Sequence, residues 1–328
     1  MLNWNGWDDT ISCLESLLRL DYDNFRIVVC DNGSTDDSVK RIRDWAAAQS
    51  LGPNVTSRCG QVAADPGEEC ARRPEIAFLN EQLFLLQNEA NLGFAGGNNA
   101  GLKFALARGD MDYAWLLNND TVVDPASLTH LVEKLRSTQG VGLCGSTLLY
   151  HYDPQTVQAR GARYNKWLAR VRHVGAHQSA SEPVNEDAYA RNMDYVVGAS
   201  MLVSRDFVDE VGLIGEDYFL YFEELDWIRR AGGRFGFAYA SRSIVYHKEG
   251  AATGATTGKK SRTGEYYGTR ARILFTRKFH PYALATVLMA IMASLLVRML
   301  KGQFAIAGAT WRAALDGLRG RTGATSGF

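Results

Sequence analysis

The chain has 328 residues, 46% of them hydrophobic, with 36 Lys and Arg balanced by 36 Asp and Glu. That is enough apolar material for a large core, either one big α/β domain with additions or two domains. Its five cysteines (Cys13, Cys30, Cys59, Cys70 and Cys144) are odd in number and scattered, which excludes a disulfide framework and a zinc motif.

The zero balance hides an uneven distribution. From Lys259 to Phe328 the balance is +10, so the preceding 258 residues carry −10. A basic tail on an acidic body points to an anionic surface, lipid or nucleic acid, or to a plain solvated tail.

The chain opens on MLNWNG with no signal-peptide pattern, and its first strand is short, as if it began a few residues upstream. RIVVCD is a buried strand ending in Asp31. In the following NGSTDDSVKRIRDWAAA, Ser34 and Asp37 have capping-box spacing, and Val39, Ile42 and Trp45 share one helix face. Residues 51–75 read as an inserted loop, in which Cys59 and Cys70 either form a disulfide or, as a cytoplasmic setting favours, stay reduced. IAFL, QLFLLQ, YAWLLN and VGLCGS are predicted strands, with helices over 98–108 and in PASLTHLVEKLRS. Cys30 and Cys144 lie in apolar runs and read as core. Strands alternating with helices predict a wound, mostly parallel sheet to about residue 148, with ligands at the carboxyl ends of its strands.

Beyond it, a hairpin is expected around Tyr164–Val174, a strand in YVVGASMLVSRD, a helix in DFVDEVGLI, and strands in FGFAYA and SIVYH. Pro281–Val297 is almost wholly apolar and flanked by Arg277, Lys278, Arg298 and Lys301. It fits a helix lying on or dipping into a membrane, a core or oligomer helix, or a span.

Five segments offer chemistry. In LLNNDTVVDP a buried strand ends in Asn118, Asn119 and Asp120, a set of oxygen donors suited to Mg²⁺ or Mn²⁺; the same triplet also suits a plain turn. Asp31, Asn32 and Ser34 can hold a base or ribose, or cap a helix. In NLGFAGGNNAG the glycines Gly93, Gly96 and Gly97 admit close backbone approach, but their spacing is not that of a dinucleotide fold. FEELD crowds Glu223, Glu224 and Asp226 together, and mutual repulsion there suits a general base. His247 ends a strand and is a structural residue or a metal ligand.

Taken in order, LNWNG, VVCDNGSTDDS, NLGFAGGNN, LLNNDT, GASMLV, YFEELDWIRR and VYHKEGAATG resemble the inverting GT-A-fold glycosyltransferases of family 2, most of all a rhamnosyltransferase-like group. The likeness spans about residues 1–280 and continues in YYGTRARILF. It implies a GT-A fold, with residues 1–148 as the nucleotide-sugar half, 149–278 as the acceptor and catalytic half, and 279–328 as a basic, apolar helical tail. Asn3, Asn5, Asp31, Asn32 and Ser34 would hold the nucleotide, helped by the Gly93–Asn98 loop and by Asn118 and Asn119. Asp120 and His247 would bind Mg²⁺ or Mn²⁺, with Asn118 where the family has its first acid. Glu224 would be the general base, where Asp is usual, with Glu223 as the alternative.

The implied donor is a nucleotide diphosphate sugar and the acceptor a glycan or glycolipid. Peripheral membrane contact through 279–301 would place the protein at the cytoplasmic face of the plasma membrane, with no nucleic acid as partner. A sugar nucleotidyltransferase and a non-catalytic nucleotide-sugar or glycan-binding module are the rival classes. The sugar, nucleotide, linkage and oligomeric state stay open.

Overall fold

The computed structural model describes residues 1–49, 75–78, 82–248 and 261–325. The insertion with Cys59 and Cys70, and the stretch 249–260 after His247, lie outside them. β1 (Leu2–Asn3) and α1 (Trp7–Leu17) lead to β2 (Ile27–Asp31) and α2 (Ser38–Ala48). β3 (Glu75–Phe78), β4 (Leu83–Gln87) and α3 (Gly93–Arg108) follow, then β5 (Tyr113–Leu117), β6 (Thr121–Val123), α4 (Ser127–Ser137) and β7 (Val141–Tyr150). The second half carries β8 (Asp153–Ala159) and the expected hairpin, β9 (Ala162–Asn165) with β10 (Arg170–His173). Next come α5 (Glu186–Arg191), β11 (Ser200–Ser204), α6 (Arg205–Val211), α7 (Glu223–Ala231) and β12 (Gly236–His247). The chain ends in α8 (Arg262–Phe279), a 3₁₀ turn (Pro281–Ala283), α9 (Leu284–Leu300) and α10 (Phe304–Leu318).

One sheet has the order β1-β2-β4-β3 and the other β5-β11-β7-β12-β6, with β8 alongside β7. A parallel bridge between Leu2 and Asn118 joins them where β1 meets the end of β5. β1, β2 and β4 run parallel, β7 runs parallel to β12, and β3, β6, β8 and β11 are reversed against their neighbours. The predicted wound sheet is therefore present, with reversed strands at one edge and through the second half. FGFAYA and SIVYH form a single strand, β12, whose register shifts between Ala240 and Ile244. At this irregularity Ser243 is buried and its hydroxyl bonds to Ser146 at 2.9 Å.

Helices cover both faces because each presents an apolar stripe to the sheet. Leu14 and Ile42 pack with Val29 and Leu85 on one side, and Phe207 and Trp227 with Tyr239 on another. Val39, Ile42 and Trp45 do share the packed face of α2. The capping box does not form, because Ser34 turns back to Asp31 and Asp36 Oδ1 accepts from the Ser38 amide at 3.0 Å. Cys30 and Cys144 are core residues, and burial pushes the Cys144 thiol up to about 12.

α9 lies along the protein. Val287, Ile291 and Leu295 form one buried stripe, of which Val287 and Ile291 meet Ala169, Ile273 and Ala314. Arg298 is not a free flanking charge: its Nη2 reaches Glu265 Oε2 on α8 at 2.7 Å, and its Nη1 bonds Thr310 on α10 at 2.6 Å.

Candidate active site

The carboxyl ends of β1 and β2 form a closed polar chain. Asn3 stands opposite Asp31 because β1 and β2 are in parallel register, and its Nδ2 donates to Asp31 Oδ1 at 2.7 Å. Ser34 Oγ donates to the same oxygen at 2.6 Å and accepts from the Asn5 amide at 2.9 Å. Asn5 Oδ1 accepts from the Thr35 amide at 2.8 Å, so the two turns brace each other. Thr10 Oγ1 donates to Asn3 Oδ1 at 2.8 Å and accepts from Asn119 Nδ2 at 3.0 Å. Asn3, Asp31, Ser34 and Asn119 thus meet at one corner, linked by Thr10, which the sequence reading did not single out.

Asn32 has a local task. Its amide donates to Asn91 Oδ1 and Gly93 O, and its Oδ1 accepts from Asn88 Nδ2 and the Leu92 amide, which pins β2 to the entry of α3. The glycine-rich segment is not a loop. α3 begins at Gly93, five residues before the expected start, and Asn98 Nδ2 bonds Phe94 O inside it at 2.9 Å. Packing is the reason: a Cβ on Gly97 would lie 2.2 Å from Leu2 Cδ1, so the glycines let the helix rest on β1. At Gly93 the φ is +75° and a Cβ would fall 2.3 Å from Phe219 O.

The NND triplet lies where two strands converge. Asn118 donates its amide to Ala199 O at 3.0 Å, and Thr121 pairs with His247 across β6 and β12. That register sets His247 Nε2 3.2 Å from Asp120 Oδ1. His247 Nδ1 lies 2.8 Å from Oε1 of the buried Gln158 on β8. With Gln158 accepting from Nδ1–H, the lone pair of Nε2 faces the carboxylate. Two acceptors that close call for a cation between them, a proton or a metal ion. One carboxylate and one imidazole fit Mn²⁺ or Mg²⁺, which complete their shells with water and substrate phosphates. No group of three or more His, Cys, Asp or Glu is arranged for a metal among the described residues. Next in sequence, Lys248 ties this strand end to Asp9 of α1 and donates its amide to Asp120 O at 3.0 Å. Gln158 and Lys248 were missed; only the adjacency of Lys248 to His247 hinted at either.

The acid cluster divides into three roles. Asp226 is fully buried and engaged: Oδ2 accepts from Tyr218 and Lys278, each at 2.7 Å, and Oδ1 from Arg230 at 2.8 Å. Glu223 is 1% exposed, and its Oε1 has no hydrogen-bond partner among the described residues. Glu224 is half-buried and rests on Gly198, where a Cβ would lie 2.1 Å from its Oε1. Burial raises both glutamates above the ordinary carboxylate range; the Glu224 charge raises Glu223 further, and the backbone amides of Glu224 and Gly198 draw Glu224 partly back. Burial and both glutamate charges also push the Tyr195 phenol well up. Phe219, Tyr221 and Phe222, just before the pair, have φ of 70°, 71° and 74°, a left-handed conformation that side chains rarely adopt.

Through Gly198 and Ala199, the segment beside Glu224 is hydrogen-bonded to the strand end that carries Asp120. A separate depression of about 850 Å³ beside α4 contains none of these residues, and its Lys134 and Glu186 pair with each other at 2.8 Å.

An open sheet with polar residues gathered at its strand ends is the architecture of an α/β protein that binds its ligand there. The chain belongs to the glycosyltransferase-like family 2, whose model matches residues 3–268. It is similar to the low-salt glycan biosynthesis hexosyltransferase Agl10 of Haloferax volcanii, 22% identical over 156 residues, 46% of this chain and 47% of that protein. It is also similar to hyaluronan synthase 2 of Rattus norvegicus, 25% identical over 164 residues, 48% of this chain and 29% of that protein. The matched stretches span about half the length of these relatives or less. The solved mannosyltransferase PcManGT of Pyrobaculum calidifontis, in complex with GDP-Man and Mn²⁺, shares the fold at 12% identity with a TM-score of 0.53, covering 97% of this chain and 85% of that one.

Proposed function

We propose that the protein transfers a hexosyl group from a nucleotide diphosphate sugar to a hydroxyl of a glycan or glycolipid, with inversion. Rhamnose, a deoxyhexose, is the sugar that the likeness of the motifs favours. The observation that carries the proposal is the pairing of Asp120 with His247 on a strand end hydrogen-bonded to the segment on which Glu224 rests. In this reading Asn3, Asn5, Asp31 and Ser34 shape the base and ribose corner, and Asn118 and Asn119 flank the diphosphate. Asn32, Gly93 and Asn98 support that corner from behind. Residues 1–148 form the donor half and 149–278 the acceptor half.

Asp120 and His247 would hold Mg²⁺ or Mn²⁺, which would offset charge on the diphosphate when bound. The chain's own groups do the rest. Glu224 takes the proton of the acceptor hydroxyl, the acceptor oxygen bonds to the anomeric carbon, and the electron pair of the broken bond leaves with the diphosphate. Its raised proton affinity brings Glu224 nearer the working pH than an ordinary carboxylate. Glu223, wholly buried, backs it and is the second choice for the base. In this reading the apolar α9 lies against a bilayer, with the protein at the cytoplasmic face of the plasma membrane. Pro281–Leu300 is long and apolar enough to cross a membrane, but its buried stripe and the Arg298–Glu265 pair favour a helix on the surface.

The test is a calorimetric titration of nucleoside diphosphates with and without Mn²⁺, followed by incubation with labelled nucleotide sugars. Metal-dependent binding and transfer to an acceptor are expected. Pyrophosphate exchange, or binding without turnover, sinks the proposal in favour of a nucleotidyltransferase or a binding module.

A further inference from the structure

The outer side of α9 is not the only apolar surface at this end of the molecule. Met289, Met292, Leu296 and Leu300 are exposed on the side opposite the buried stripe. At its amino-terminal end Tyr282, 60% exposed, meets the ring of Trp167, itself 47% exposed, edge-on at 5.7 Å. Trp167 sits at the tip of the β9–β10 hairpin, and its carbonyl accepts from Thr286 of α9 at 2.8 Å. The hairpin tip and α9 therefore form one continuous face. Leu168 and Val171 extend it, at 39% and 38% exposure.

Cations stand in the same hairpin, one of them on this face. Lys166, Arg170 and Arg172 are all exposed, and Lys166 Nζ lies over both Trp167 and Tyr282, 5.6 Å and 5.8 Å from the ring centres. Aromatic rings beside lysine and arginine, next to an apolar helix face, are the composition of a surface that seats at the headgroup level of an anionic bilayer. A second copy of the chain suits it poorly. Two like-charged hairpins would face each other across a two-fold axis, and lysine is depleted from the cores of such interfaces.

We infer that the tip of the β9–β10 hairpin, around Trp167 with Lys166 and Arg170, is a second membrane contact that seats on anionic lipid beside α9. This rests on the membrane reading of α9 given above and adds an element that α9 alone does not supply. It also orients the site. Tyr164, on β9 of the same hairpin, meets Phe222 edge-on at 5.9 Å, and Phe222 immediately precedes Glu223 and Glu224. A seated hairpin brings the carboxylates close to the headgroup plane, where the hydroxyl of a lipid-linked acceptor is presented.

Sedimentation of the full chain with vesicles tests this, using phosphatidylcholine alone and phosphatidylcholine with phosphatidylglycerol. One variant combines Lys166→Ser, Trp167→Ser and Arg170→Ser; a second combines Met292→Glu and Leu296→Glu on α9. Nucleoside diphosphate binding checks that each variant is folded. The hairpin variant is expected to lose partition to the anionic vesicles by at least about 25-fold, from roughly fivefold per basic residue removed. Unchanged partition of the hairpin variant overturns the inference. If the α9 variant alone loses binding, the hairpin contact is wrong and the α9 reading stands; if neither loses it, both are wrong. A dimer in light scattering that the hairpin variant splits, with vesicle binding intact, assigns the face to a second copy and likewise overturns the inference.

Discussion

The two corners of the site are built in opposite ways. Around Asp31 the polar side chains answer one another: Asn3, Ser34, Thr10 and Asn119 form an unbroken run of hydrogen bonds. Around the glutamate pair the Glu224 carboxylate is met by backbone amides, its own and that of Gly198, rather than by side chains forming a chain. Glu223 Oε1 is buried without a partner among the described residues, and three side-chain-bearing residues before it are held in left-handed backbone. Such residues cost about 1–3 kcal/mol each and persist only where their surroundings hold them. Here the hold comes from two sides. Phe94 donates its amide to Phe219 O at 2.9 Å, and the buried Arg270 donates to Tyr218 O at 3.0 Å. A surface that only needs shape can satisfy its polar groups in advance. A carboxylate proposed to gain and lose a proton is better left without a fixed cationic partner.

The largest expected effect breaks the second corner alone. Glu224→Gln should lower kcat by about 10²–10⁴-fold and leave nucleoside diphosphate affinity within about twofold. In the wild type the acid limb of kcat should lie above the ordinary 4.5 of a glutamate, because the folded carboxyl is raised. Full activity in the variant removes Glu224 as the base.

Gly198→Ala sharpens the contrast without replacing a charged group. The added Cβ would lie 2.1 Å from Glu224 Oε1 and 2.9 Å from its Cδ, so the carboxylate must move. A displacement near 1 Å should cost about 10²-fold in kcat with little change in nucleotide binding. An unaltered kcat would show that the position of Glu224 is immaterial.

Gln158→Leu acts on the proposed metal pair, Asp120 and His247, through the imidazole. Loss of the group that orients His247 should weaken Mn²⁺-supported nucleotide binding by about 10–100-fold and leave metal-free binding as it was. Equal weakening in both conditions points to a structural role.

The smallest effect is on stability. The carboxyl of Glu223 is raised well above its ordinary 4.5, first by burial and then by the Glu224 charge. The folded state keeps a proton that the unfolded state has released, so this contribution is whole below about 4.5 and is lost as pH rises through the raised value. Glu223→Gln should remove that slope and make the protein more stable than wild type at pH 8, by about 1 kcal/mol or more. Urea unfolding at several pH values reads it, and parallel curves for the two proteins would contradict the burial argument.

Much of this was legible in one dimension. The run RIVVCD ending in Asp31, the apolar strand before Asn118, and the stripe of Val39, Ile42 and Trp45 follow from periodicity, because side chains two or about 3.6 residues apart share a face. Other features needed neighbours remote in the chain. Whether NLGFAGGNNAG is loop or helix depends on how closely α3 lies on Leu2, a packing fact that propensity does not carry. Among Glu223, Glu224 and Asp226 the sequence shows three like acids. Arg230 lies one helical turn after Asp226 in α7, but only the tertiary structure brings Lys278 to Asp226, buries Glu223, and leaves Glu224 against Gly198. The pairing of Asp120 with His247 is set by strand register, and the partner of Arg298 by the packing of α8 against α9. What the sequence by itself determined is which residues could bind or react and which stretches form strands or helices, since both depend on side-chain chemistry and local spacing. Which of those residues are free to act was decided by burial and by distances across the fold.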